Sequence, residues 1–236
     1  MITIDFNRLK LDPLDRVLDI GCGEGRHTIK AAQQEQTRCV GADFGFDNLV
    51  LTQNKIKFHT AINDLNCQSI DLACMDVTCL PFDDNRFDCV ICSEVLEHIP
   101  NDTLAITELV RILKPGKTLA ISVPRFLPER ICWFLSDEYV NADMGHVRIY
   151  KKKNLIEQIE SFGLAHTGSH YAHSIHTPFW WLKCLVGPNR TDSFAVNLYH
   201  RLLVWDLMKK PGITSFIDRL LNPVLGKSLV LYFKKQ

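Results

Sequence analysis

Apolar residues fall in short, nearly unbroken runs along the first half of the chain. RVLDI (Arg16 to Ile20), CVGAD (Cys39 to Asp43), SIDLACMD (Ser69 to Asp76), RFDCVICSE (Arg86 to Glu94) and KTLAISVP (Lys117 to Pro124) each read as a strand. The fourth run hardly alternates, the pattern of a strand covered on both faces. Between the runs the spacing turns helical: RHTIKAAQQEQ after the first, Phe46 to Phe58 after the second, and TLAITELVRILK after the fourth. Asn101 or Asp102 is placed to cap the last of these, and Pro115 with Gly116 to end it. Five strands alternating with helices predict an α/β fold with a doubly wound, mostly parallel sheet, because parallel neighbours need crossover helices. Ligands of such sheets bind at the C-terminal strand ends, near the point where strand order reverses.

The second half continues with a long connector (124–150), a helix KKKNLIEQIESFG stopped by Gly163, a sixth strand LAHTGSHYAH and a seventh, SLVLYFKK. About fifty residues separate the last two strands, where a hairpin needs about 2–5. The predicted organisation is therefore a seven-stranded core over 1–171 and 227–236, a helical insertion over 172–226 between strands six and seven, and a lid connector over 124–150. About fifteen residues precede the first strand, too few for a helical cap, so the connector and the insertion are expected to cover a substrate. Within the insertion, Asn197, His200 and Arg201 share a polar stripe and leave a broad apolar face with Phe194, Leu198, Leu202 and Trp205. That face reads as a helical cap packed on the sheet.

Charge sharpens the division. The chain is neutral overall, but residues 183–236 hold nine Lys+Arg against three Asp+Glu, so a basic tail follows an acidic body. Tryptophans beside these cations keep membrane-surface contact through 178–236 open, although no run reaches the ~18 apolar residues of a spanning helix. MITIDFNRLKLDPLDR carries charge throughout and lacks an apolar signal core, so a cytoplasmic location is expected, with peripheral contact at the inner membrane face. Nine scattered cysteines argue for reduced thiols, and Cys89 and Cys92 sit inside a strand-like run rather than in a paired zinc or redox motif.

The most informative segment is VLDIGCGEGRH. Gly21 and Gly23 let the backbone turn sharply against a ligand, at the N-terminus of the helix that follows. A dinucleotide fingerprint needs glycine where this chain has Arg26, so an NAD(P)-dependent oxidoreductase is the weaker reading. Asp19 precedes the glycines, Asp43 ends the second strand about twenty residues on, and Asp76 follows the third. Carboxylates thus stand at three successive strand ends, and the second is placed to accept ribose hydroxyls.

VLDIGCGEG, Asp43, MDVTCLPFDDNRFDCVICSEVLEHI and LKPGKTLAISVP, in this order over roughly residues 14–171, resemble the class I S-adenosylmethionine-dependent methyltransferases, and their small-molecule branch in particular. The resemblance implies that Asp19, Gly21 and Gly23 hold the methionine end, with Arg26 and His27 close to it. Asp43 takes the ribose with Phe44 beside the adenine, Asp76 and Val77 read the adenine edge, and Ser93 and Glu94 close the methionine side. A cationic sulfonium suits such a carboxylate-rich pocket better than a pyrophosphate would.

SEVLEHIP leaves three roles open for its ionisable groups. Glu94, Glu97 and His98 resemble the magnesium cluster of ubiquinone-type catechol O-methyltransferases and of small-RNA 2′-O-methyltransferases. Alternatively His98 is a general base, with Glu97 and with His146 reaching in from the connector. In the third reading Glu97 and His98 only shape the turn before Pro100. No metal ligand is assigned, and magnesium stays a secondary expectation. His166, His170, His173 and His176 form a further cluster for pocket lining or zinc. The expected function is O-methylation of a small apolar acceptor, such as a quinone precursor or a lipid. An RNA methyltransferase and a non-enzymatic cofactor-binding protein are the alternatives.

Overall fold

In a computed structural model that describes residues 1–141, 145–209 and 211–236, the strand runs form one seven-stranded sheet. The chain order is β1 (Arg16–Ile20), α1 (Arg26–Ala32), β2 (Arg38–Asp43), α2 (Phe46–Ala61), β3 (Ser69–Cys74), β4 (Phe87–Ser93), α3 (Asp102–Ile112) and β5 (Leu113–Pro124). Then come α4 (Phe126–Leu135), α5 (Asp137–Val140), α6 (Lys152–Glu160), β6 (Leu164–Ala172), α7 (Thr177–Val186), α8 (Phe194–Lys209), α9 (Gly212–Leu225) and β7 (Ser228–Lys235). Spatial order is β3-β2-β1-β4-β5-β7-β6. The first five strands pair in parallel, and β7 runs antiparallel between β5 and β6.

Burial explains why β4 shows no alternation. Val90 and Cys92 enter the larger core, with Leu18, Ile20, Leu119 and Ile121 and the α3 residues Ile106 and Leu109. Cys89 and Ile91 enter the opposite core, with Val17, Ala31, Ala32 and Tyr232 and with Ile4 and Leu9 of the N-terminal segment. Successive strand side chains point to opposite faces, so a strand with apolar cover on both sides has no polar face to display. Cys89 and Cys92 therefore lie on opposite sides of the sheet, and all nine cysteines are free thiols.

The long segments flank the C-terminal strand ends. Residues 142–144 of the connector and Lys210 of the insertion lie outside the described residues. The connector contributes α4 and α5, and its return path is fixed by Val147 N–H donating to Glu97 O (2.9 Å) and by an Arg148–Asp102 ion pair (2.7 Å). The insertion is moored by the Trp181 indole N–H donating to Pro128 O (3.1 Å) and by the Thr177 hydroxyl donating to Leu225 O (2.6 Å). Its own core is small: Phe179, Val196 and Leu203. The broad apolar face of α8 does not pack on the sheet, because Phe194, Leu198, Leu202 and Trp205 are all exposed. What α8 turns inward is the stripe of Val196 and Leu203, with Tyr199 stacked on Phe179. Among the described residues no helix is long and apolar enough to cross a membrane.

Candidate active site

Strand order reverses between β1 and β4, and a cleft of about 550 Å³ opens at their C-terminal ends. Gly21 enters the turn after β1 with φ +69°, and a Cβ placed there would stand 2.2 Å from Val95 Cγ2. Only glycine satisfies both the left-handed backbone and the contact. Asp43 then fixes the loop from β2: its Oδ2 accepts from the Gly23 amide (2.7 Å), and its Oδ1 from the Gly45 amide (2.8 Å) and Asn48 Nδ2 (3.0 Å). At the β3 end Asp76 Oδ1 accepts from the amide and the hydroxyl of Thr78, both at 2.8 Å.

Ten of the eleven residues placed at the cofactor line this cleft: Gly21, Gly23, Arg26, His27, Asp43, Phe44, Asp76, Val77, Ser93 and Glu94. Phe44 is 74% exposed, an open apolar face for a planar ring. Glu94 holds φ +57°, an unusual backbone for a non-glycine residue, and its Oε1 accepts from the Ser122 hydroxyl (3.0 Å). His27 is buried, and its Nε2 accepts the amides of Thr3 (3.0 Å) and Ile4 (3.4 Å). Burial, then Arg26 and the N-terminus, push its pKa down to about 3, so the ring stays a neutral acceptor.

Asp19 lies beneath the cleft rather than on its wall, only 1% exposed. Its Oδ2 accepts from the Thr28 hydroxyl (2.6 Å), while its Oδ1 has no hydrogen-bond partner among the described residues. Burial raises its pKa from 3.8 to about 6, against the hydrogen bonds from Thr28. Between those values the native state binds more protons than the unfolded chain, so this group's contribution is complete below pH 3.8 and is lost as pH rises through 6. Asp19→Asn has no such term. Relative to the native protein, the variant is expected to gain up to ~3 kcal/mol of stability between pH 3.5 and pH 7, read from denaturant melts at the two pH values.

A second cavity of about 700 Å³ lies between the connector and the insertion, and His98 lines both it and the cofactor cleft. Tyr139 and Trp180 give it aromatic walls, with Glu138, Asn141, Lys183 and Asn189 at its polar positions. Glu97, His98 and His146 meet at this junction, their ligand-type atoms all within 4.8 Å of one another. Glu97 is fully buried, and among the described residues neither carboxylate oxygen has a hydrogen-bond partner. Burial and then the Glu94 charge raise its pKa well above the ordinary carboxylate value. His98 Nδ1 donates to Gly145 O (3.3 Å), and its Nε2 stands 4.0 Å from Glu97 Oε1. His146 Nδ1 donates to Glu129 Oε1 (2.5 Å).

Glu129 is a residue the sequence analysis did not single out. It is 3% exposed; burial alone would raise its pKa, but the hydrogen bond and charge of His146 hold it below the ordinary value. It is thus a carboxylate that orients an imidazole, and no spacing in the sequence marks it, since it sits on α4 and serves a residue seventeen positions on. Glu94, grouped with Glu97 and His98 by sequence, turns to Ser122 and the cofactor cleft, and is not in the three-residue group. The four later histidines lie elsewhere: His170 Nε2 donates to Thr3 O (3.3 Å), and His173 Nε2 bonds the Thr3 hydroxyl (3.2 Å).

A seven-stranded sheet in this order, with a carboxylate-lined cleft at its switch point, defines the Rossmann-like methyltransferase fold. Residues 18–121 match the family described as "Methyltransferase domain". The chain is 38% identical over 113 residues to the 2-phytyl-1,4-naphtoquinone methyltransferase of Synechocystis, covering 47% of this chain and 45% of that one. It is 28% identical over 172 residues to the ubiquinone biosynthesis O-methyltransferase of Coxiella burnetii, covering 69% and 70%. The aligned part spans about half the length, or less, of the first curated relatives it matches. Among solved structures, a putative methyltransferase from Bacillus halodurans superposes with a TM-score of 0.65 at 20% identity, covering 97% of this chain and 96% of that one.

Proposed function

We propose that the protein transfers a methyl group from S-adenosylmethionine to a hydroxyl of a small aromatic or apolar acceptor, beside a divalent cation held by Glu97, His98 and His146. The observation that carries this reading is the buried Glu97 carboxylate, whose two oxygens, without a hydrogen-bond partner among the described residues, sit against two histidines where the cofactor cleft meets the second cavity. A fully buried carboxylate without a hydrogen-bond donor is costly, and a cation removes that cost. Hard oxygen plus imidazole ligands suit magnesium or manganese. When bound, such an ion supplies Lewis acidity that lowers the pKa of a hydroxyl and fixes its direction.

The protein's own part is placement. Asp43 and Asp76 hold the nucleoside at adjacent strand ends, and Glu94 lies toward the methionine side. Tyr139 and Trp180 receive the acceptor's apolar body. The acceptor hydroxyl releases its proton to solvent, its oxygen attacks the methyl carbon, the carbon–sulfur bond breaks, and the sulfonium leaves as the neutral thioether of S-adenosylhomocysteine. Two partners held in line gain most of their acceleration from alignment and from exclusion of water. The relative named for O-methylation in ubiquinone biosynthesis favours an oxygen acceptor, and the relative named for a naphthoquinone favours a ring-bearing one.

The test is methyl transfer from labelled S-adenosylmethionine to catechols, phenols and quinols, with chelator and then with added magnesium. Turnover lost to chelator and restored by the ion is expected. Turnover indifferent to both removes the cation and leaves His98 as the base. Glu129 enters as a positioning residue: Glu129→Gln is expected to weaken cation affinity by ~10–100-fold. Affinity for S-adenosylhomocysteine stays unchanged in that variant, both being read by calorimetry.

A further inference from the structure

Helix α9 is built with its apolar side outward. Its inner stripe is polar and half-buried: the Asp218 carboxylate accepts from the Ser174 hydroxyl (2.8 Å) and the Ile175 amide (3.2 Å), and Asn222 Oδ1 accepts from the Ser174 amide (3.0 Å). Its outer stripe, Ile213, Phe216, Ile217, Leu220 and Val224, follows helical spacing, and four of the five are 63–66% exposed. No residue of α9 is buried. Soluble monomers rarely expose a contiguous apolar row of this kind. Beside it α8 exposes Leu202, Trp205 and Met208.

Charge is partitioned in the same sense. Of the three acidic residues in 183–236, Asp218 faces inward as described, and Asp206 lines a small inner cavity with Asp218 and His176. The third, Asp192, pairs with Arg190 at 3.2 Å. Arg201, Lys209 and Arg219 stay exposed. The outward surface of the insertion therefore combines apolar stripes with cations. A second copy docked through the same surface would bring together two insertions that each hold six Lys+Arg against three Asp+Glu over residues 172–226, which opposes a two-fold dimer.

We infer that the outer face of α8 and α9 docks on an anionic lipid bilayer surface, lying in the headgroup region without crossing it. Fourteen residues make α9 too short to span, and an amphipathic helix flanked by Arg and Lys is the composition that lies in the interface. The acidic body, repelled by the same surface, orients the docked molecule with its basic insertion down. The inference does not depend on the methyl-transfer reading.

Co-sedimentation of the full chain with phosphatidylglycerol–phosphatidylcholine vesicles, against pure phosphatidylcholine, tests it. Binding to the anionic vesicles that weakens with salt is expected. The double variant Phe216→Asp, Leu220→Asp is expected to lose about a hundredfold in partition coefficient. Arg219→Glu is expected to lose less, and only at low salt. Circular dichroism and the melting temperature confirm that both variants fold. The inference is overturned if the native chain stays in the supernatant or binds both vesicle types equally. It is also overturned if sedimentation velocity finds a dimer that the double variant dissociates.

Discussion

Glu97→Gln is expected to lower turnover by roughly 10²–10⁴-fold while leaving affinity for S-adenosylhomocysteine within a few-fold of native. The substitution keeps the shape of a fully buried side chain and introduces no charge. The backbone bond from Val147 N–H to Glu97 O, which sets the path of the connector, is untouched. A residue that only shaped the turn before Pro100 would tolerate this change. Loss of activity in a chain that still folds and binds cofactor therefore separates chemistry from architecture. The readouts are methyl transfer in the presence of magnesium, cofactor calorimetry and a thermal melt.

Asp43→Ala is expected to weaken S-adenosylhomocysteine binding by roughly 10²–10⁴-fold, because in the proposed placement of the cofactor two hydrogen bonds to a charged acceptor are lost at the ribose. A second cause adds to the first. The same carboxylate holds the amides of Gly23 and Gly45 and the Asn48 side chain, so its removal also releases the loop that receives the cofactor. Isothermal titration reads the loss directly. Binding within a few-fold of native would place the cofactor's sugar elsewhere.

The sheet was legible because its strands are short apolar runs separated by glycine, proline and helical spacing. β1 and β7 fall on the expected residues, and β5 begins earlier than expected, at Leu113, carrying Pro115 and Gly116 in its irregular first part. The glycine turn and the carboxylates at successive strand ends were legible for the same reason: a cleft at the switch point needs them at fixed distances along the chain. What the sequence hides is long-range convergence. His146 stands forty-eight positions from His98, yet their rings lie 4.9 Å apart because Val147 and Arg148 pin the connector beside Glu97 and Asp102. Glu129 is invisible for the same reason. α9 hides differently: its apolar spacing is that of a helix packed on a core, and only the bonds of Asp218 and Asn222 reveal that the polar side faces the protein.

In the proposed function Glu97, His98 and His146 form a cation site at the junction of the cofactor cleft and the acceptor cavity. Titrating manganese into the chain saturated with S-adenosylhomocysteine, followed by calorimetry and by the electron paramagnetic resonance of free ion, measures it without an acceptor. One site per chain in the native protein and none in Glu97→Gln is the expected result. No binding to the native chain, or the same binding in Glu97→Gln, would contradict it.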